Sequence, residues 1–147
     1  MAHAQIRAMD KELMLLPMFA LVLLTVGVGI KMRLNRDKSV REGFNWRYFK
    51  TKEGEKPPRY VQQSDSHFEN MFEVPTLFYA ACLAYMVMDT VDEIALAMAS
   101  LFVLGRIIHA WISLGRDKLL WRARTFVATS ITLVAMWIWL IVLTTPW

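Results

Sequence analysis

Six side chains in this sequence have the chemistry to hold an anion or move a proton, and they recur at helical spacing. Arg106, His109 and Ser113 lie three and four residues apart in the apolar run LFVLGRIIHAWISL, so a helix sets them on one face. Asn70 and Glu73 lie three apart in NMFEVPTLF. Arg122 opens a further run that continues with Thr125, Thr129 and Thr132, again at helical spacing. An arginine at bilayer depth costs ~2.5–3.5 kcal/mol on insertion scales, so Arg106 calls for a partner or a wet cavity. At 1.5 Å per residue, Glu73 and Arg106 fall at comparable depths, about 10–14 Å below one surface. Together the six predict a shared cavity with one acid against two arginines, a field that favours an anionic or acid-bearing ligand.

Each residue also has a plainer reading. Glu73 and Arg106 can form an interhelical ion pair that only fixes the bundle. His109 can be a hydrogen-bonded core residue, and Arg122 can snorkel to the headgroups. The threonines can bond their own backbone or a neighbouring helix.

The elements that carry these residues follow from composition. Of 147 residues, 56% are hydrophobic, more than a soluble domain needs, which points to a membrane protein. Runs near ~20 apolar residues suit transmembrane helices, and none alternates as a barrel strand does. The reading is an all-α membrane protein, a single four-transmembrane-helix bundle. Its helices are expected over about 13–30, 66–88, 93–115 and 120–143, with a long basic connection over 31–65. Pro75 should kink the second helix by crowding the carbonyl of Met71.

Charge orients the bundle. The 31–65 connection holds ten Lys or Arg, and the third-to-fourth connection adds Arg116, Lys118, Arg122 and Arg124. The intervening connection is acidic, with Asp89, Asp92 and Glu93. With four spans both basic connections share a side. The positive-inside rule makes that side cytoplasmic and puts both termini opposite. A bacterial inner membrane fits so compact a chain. The first apolar run mixes both charges in its leading stretch and is expected to be retained, not cleaved. FNWRYFK interleaves aromatic and basic residues, as a segment at headgroup level or a solvated loop would. EGEKPPRY reads as an extended turn, because residues before proline avoid the helical region.

Other chemistries find little support. Cys82 is the single cysteine, and His3, His67 and His109 lie in separate regions with no ligand spacing, so no metal is expected. Nothing resembles a nucleic-acid module.

The ordered motifs resemble the MAPEG family, membrane-associated proteins in eicosanoid and glutathione metabolism. LFVLGRIIHAWISLGRDKLLWR is similar to the family's Gly-Arg-x-x-His segment, short turn, and arginine opening the fourth helix. NMFEVPTLFYAACL is similar to its Asn-x-x-Glu followed by proline. The likeness covers about residues 66–143. It implies a homotrimer in the bilayer that binds glutathione between adjacent subunits near the cytoplasmic side and acts on a lipophilic small-molecule substrate. By that likeness Arg122 is the catalytic residue that stabilises the thiolate. Asn70, Glu73, Arg106, His109 and Ser113 are the cofactor-binding residues. The implied activity is a glutathione-dependent transferase or peroxidase acting on lipophilic electrophiles. The chain departs from the family pattern at four places. Glu69 and Ser66 stand where glutathione-using members often carry arginines, and Ser113 and Phe126 where tyrosines are common. These departures suit the alternative, a non-catalytic lipid-binding or scaffold membrane protein.

Overall fold

The computed structural model describes residues 10–115 and 119–146. His3, Arg116 and Lys118 lie outside the described residues. A 3-10 turn, Lys11–Met14, leads into six helices: α1 (Leu15–Arg41), α2 (Tyr48–Thr51), α3 (Arg59–Asn70), α4 (Val74–Val87), α5 (Glu93–Leu114) and α6 (Leu119–Thr144). Among the described residues there is no strand.

Helix α1 runs past the end of its apolar stretch at Ile30, to Arg41. The segment KMRLNRDKSVR has no glycine or proline, and most of its residues are good helix formers. The helix stops only where Gly43 supplies a positive φ of 98°. There Gly43 N–H bonds the Val40 carbonyl and Phe44 N–H bonds the Ser39 carbonyl, both at 3.0 Å, the paired bonds of a glycine-terminated helix. At 27 residues α1 is about 40 Å long. Its basic end therefore projects beyond a hydrocarbon core of about 30 Å.

Much of the 31–65 connection is thus helical. EGEKPPRY is only partly the extended turn expected: Gly54 and Glu55 form a bend, Pro58 is extended at ψ 150°, and Arg59 and Tyr60 already begin α3. In FNWRYFK the rings of Phe44, Tyr48 and Phe49 cluster at 5.6–5.9 Å, Arg36 lies over Phe49, and Trp46 stands exposed.

The second apolar stretch is broken where a kink was expected. Residues 71–73 form a turn, Glu73 takes φ −90°, ψ −89°, and Pro75 sits in the first turn of α4. The cause is the missing proline N–H and the ring's clash with the carbonyl four residues back. Three stretches, Lys11–Arg41, Glu93–Leu114 and Leu119–Thr144, are long and apolar enough to cross a membrane. The 14 residues of α4 span about 21 Å.

Helices α5 and α6 share the most extensive contact, α1 packs on α3 and α5, and α4 packs on α6. Phe78 of α4 stacks on Phe102 of α5, with ring centroids 4.6 Å apart. The buried Tyr85 donates its hydroxyl to the Met136 carbonyl at 2.6 Å, tying α4 to α6. Outward faces stay apolar: Leu16, Phe19 and Leu23 on α1, Leu104 and Trp111 on α5, and Ile131 and Ile138 on α6 are exposed. An apolar surface of that extent belongs in lipid.

Candidate functional site

Helix α3 is fixed before it contributes to any site. Arg36 of α1 pairs with Asp65 at 2.9 Å, and Asn35 Nδ2 donates to the Tyr60 carbonyl at 3.3 Å. These contacts set one stripe of α3, Gln63, His67 and Asn70, toward the ends of α5 and α6. Gln63 donates to the Ser113 carbonyl across that gap. One level lower, α5 and α6 approach closely at Gly105. A Cβ there would run into the Thr129 methyl.

Above this crossing lies a hollow of about 320 Å³ walled by the end of α3, the turn after it, the last turns of α5 and the first turns of α6. Asn70, Glu73, His109, Ser113 and Arg122 all line it, so the structure brings five of the six expected side chains together.

Arg106 is the exception. Its side chain is wholly buried and does not line the hollow. Its Nη2 donates to Asn70 Oδ1 at 2.7 Å and to the Met71 sulfur at 3.5 Å. Its Nε and Nη1 have no hydrogen-bond partner among the described residues. Asn70 Nδ2 in turn donates to Glu73 Oε2 at 3.2 Å. The expected direct Glu73–Arg106 ion pair is therefore a relay through Asn70. The physical reason is the break at 71–73, which carries Glu73 off the α3 stripe to an exposed position. The expected charge balance changes with it. Arg106 withdraws behind Asn70 and Glu69 joins the lining, so two carboxylates face Arg122 where two arginines were expected to face one.

His109 Nδ1 lies 3.0 Å from Thr125 Oγ1. That hydroxyl also lies 3.0 Å from the carbonyls of both Trp121 and Arg122, which ties the His109 ring of α5 to the first turn of α6. The ring of His67 lies tilted against His109, centroids 5.3 Å apart. Sequence reasoning missed His67 and Gln63 as wall residues. The signal was present in the four-and-three spacing of Gln63, His67 and Asn70.

The match to a family model comes from the whole bundle, not the site alone. Residues 14–142 fit the model of the MAPEG family. The chain belongs to that family. The match runs from the 3-10 turn before α1 almost to the end of α6, so it takes in the hollow and extends the likeness of residues 66–143 back over the first helix. As a MAPEG protein with three helical stretches suited to crossing a bilayer, the chain is an integral membrane protein. No curated protein and no solved structure matches it.

Proposed function

We propose that this MAPEG protein is a glutathione-dependent transferase or peroxidase for lipophilic electrophiles, working as a homotrimer of four-span subunits with its basic connections in the cytoplasm. The observation that carries the reading is the convergence of Asn70, Glu73, His109, Ser113 and Arg122, from separate helices, on one hollow. Arg122 favours the thiolate over the thiol by its charge. Asn70 and Glu73 orient the peptide, and the His109 ring hydrogen-bonds the cofactor or the glutamate. Arg106 acts through Asn70 as a positioning residue. In the transferase direction the thiolate sulfur forms a bond to the electrophilic carbon and the displaced group leaves with its electron pair. In the peroxidase direction the sulfur takes the distal peroxide oxygen and the lipid leaves as its alcohol. A second glutathione then reduces the sulfenic acid, giving the disulfide and water.

The test is glutathione titration of detergent-purified protein, followed by conjugation and lipid-hydroperoxide assays. Saturable binding is expected, and Arg122→Ala should lower kcat/KM about a hundredfold, the scale of losing one group that stabilises developing charge. Absence of binding and of both activities, with Arg122→Ala indistinguishable from the parent, overturns the proposal.

A second reading is favoured by one observation. Glu69 and Glu73 both line the hollow, and carboxylates repel the two carboxylates of glutathione. A non-catalytic lipid-binding or scaffold protein has no such conflict. Protein that copurifies with lipid while ignoring glutathione would select it.

A further inference from the structure

A second site lies on the other side of Gln63. Between α1 and α5 runs a groove of about 540 Å³, walled by Leu24, Gly27 and Val28 on one side and Ile107, Ala110 and Trp111 on the other. Its lining is apolar until Lys31. There it meets a polar cavity of about 280 Å³ that shares Lys31, Leu114 and Gly115 with it and adds Asn35, Lys38 and Tyr60. The two form one slot, greasy at one end and cationic at the other.

The slot is written into α1. Leu24, Val28, Lys31, Asn35 and Lys38 recur at spacings of four, three, four and three, one face of one helix. Gly27 keeps the apolar part open, since a Cβ added there meets nothing within 4 Å. At the polar end Lys31 has no ion pair among the described residues. Lys38 lies 3.7 Å from the exposed Glu42 carboxylate and 5.1 Å above the Tyr60 ring. Glu42 already accepts from the Tyr60 hydroxyl at 2.6 Å.

We infer that this slot binds one anionic phospholipid of the bilayer, an acyl chain between α1 and α5 and the phosphate against Lys31 and Lys38. Lipid tails are as apolar as the groove, so the chain alone gives little selectivity. The head must supply it, through charge-assisted hydrogen bonds from two ammonium groups to phosphate oxygens. A zwitterionic head offers the same oxygens but brings its own cation to the lysines. The slot and the candidate site share Gln63 as a wall, and the inference does not depend on glutathione chemistry.

The test titrates detergent-purified protein with phosphatidylglycerol, phosphatidylcholine and inorganic phosphate, reading Kd by native mass spectrometry. Phosphatidylglycerol should bind more tightly than phosphatidylcholine, and free phosphate should not bind. Each lysine is expected to contribute about fivefold, so Lys31→Gln with Lys38→Gln weakens phosphatidylglycerol about 25-fold. Gly27→Leu fills the apolar part and should weaken phosphatidylglycerol while leaving thermal stability and oligomer size unchanged. Equal affinity for the two lipids, or an unchanged Kd in the double-lysine variant, overturns the inference. So does phosphate binding as tightly as the lipid, which makes the site one for a free anion. Should Gly27→Leu change oligomer size and spare lipid affinity, the groove is a contact between copies and the inference falls.

Discussion

Arg106 and Asn70 are joined by a 2.7 Å hydrogen bond from Nη2 to Oδ1, the shortest contact made by a wholly buried guanidinium. Removing the acceptor leaves a buried cation with only the Met71 sulfur. Asn70→Ala should therefore cost about 1.5–3 kcal/mol of stability, the scale of a hydrogen bond to a charged group. Glu73→Gln keeps an oxygen for Asn70 Nδ2 at an exposed position and should cost less than about 1 kcal/mol. Unfolding both variants in mixed detergent separates them. A larger loss for Glu73→Gln would mean that the carboxylate neutralises Arg106 directly.

The crossing of α5 and α6 should depend on the absence of a side chain at Gly105. Gly105→Ala drives a methyl into Thr129. An overpacked core site typically loses about 1–3 kcal/mol. Thr129→Ser removes the obstructing methyl and should recover most of that loss in the double variant. The measurement is a double-mutant cycle on thermal unfolding, and additive effects would show that the helices can part there freely.

At the exposed end of the basic lobe, Tyr60 donates to Glu42 at 2.6 Å. The hydrogen bond to Glu42 holds the Tyr60 phenol above its ordinary value of 10.0. The sign follows from which form donates. The neutral phenol is favoured in the folded state, so its contribution to stability is full below the unfolded value and is lost as pH rises through the raised one. The difference in phenolate absorbance between the parent and Tyr60→Phe isolates this titration. Glu42→Gln should move it downward, and no movement would mean the bond is absent in solution.

Much of this arrangement was legible in residue spacing. The stripes Arg106–His109–Ser113 and Asn70–Glu73 identified four wall residues, His109, Ser113, Asn70 and Glu73, Arg122 made the fifth, and the motif order identified the family that the whole-chain match supports. Spacing assigns a face, however, and not what stands in front of it. Nothing in the sequence showed that Asn70 would screen Arg106 from the hollow. Polarity also hid helices. The segment after Ile30 reads as loop by hydropathy, yet its helix formers carry α1 to Arg41. For the same reason the polar first half of α3, residues 59–65, passed for connection, and Gln63 went unnoticed with it. Pro75 announced a disturbance, but only the backbone shows a full break that turns Glu73 outward.

The end of the bundle opposite the hollow should depend on Asp92. This carboxylate is buried, caps α5 by accepting from the Ala95 amide at 2.7 Å, and accepts from Trp139 Nε1 of α6 at 3.0 Å. It also places a negative charge at the positive end of the α5 dipole. Asp92→Ala should lose the cap, typically about 1 kcal/mol, and leave the indole N–H unpaired at a further cost of about 1–3 kcal/mol. Asp92→Asn keeps a good capping oxygen and an acceptor for Trp139, so it should cost clearly less. Trp139→Phe removes the donor together with its need, and Asp92→Ala in that background should cost less than in the parent. Thermal unfolding of the four variants gives the coupling. If Asp92→Asn costs as much as Asp92→Ala, the charge at the helix terminus outweighs both hydrogen bonds.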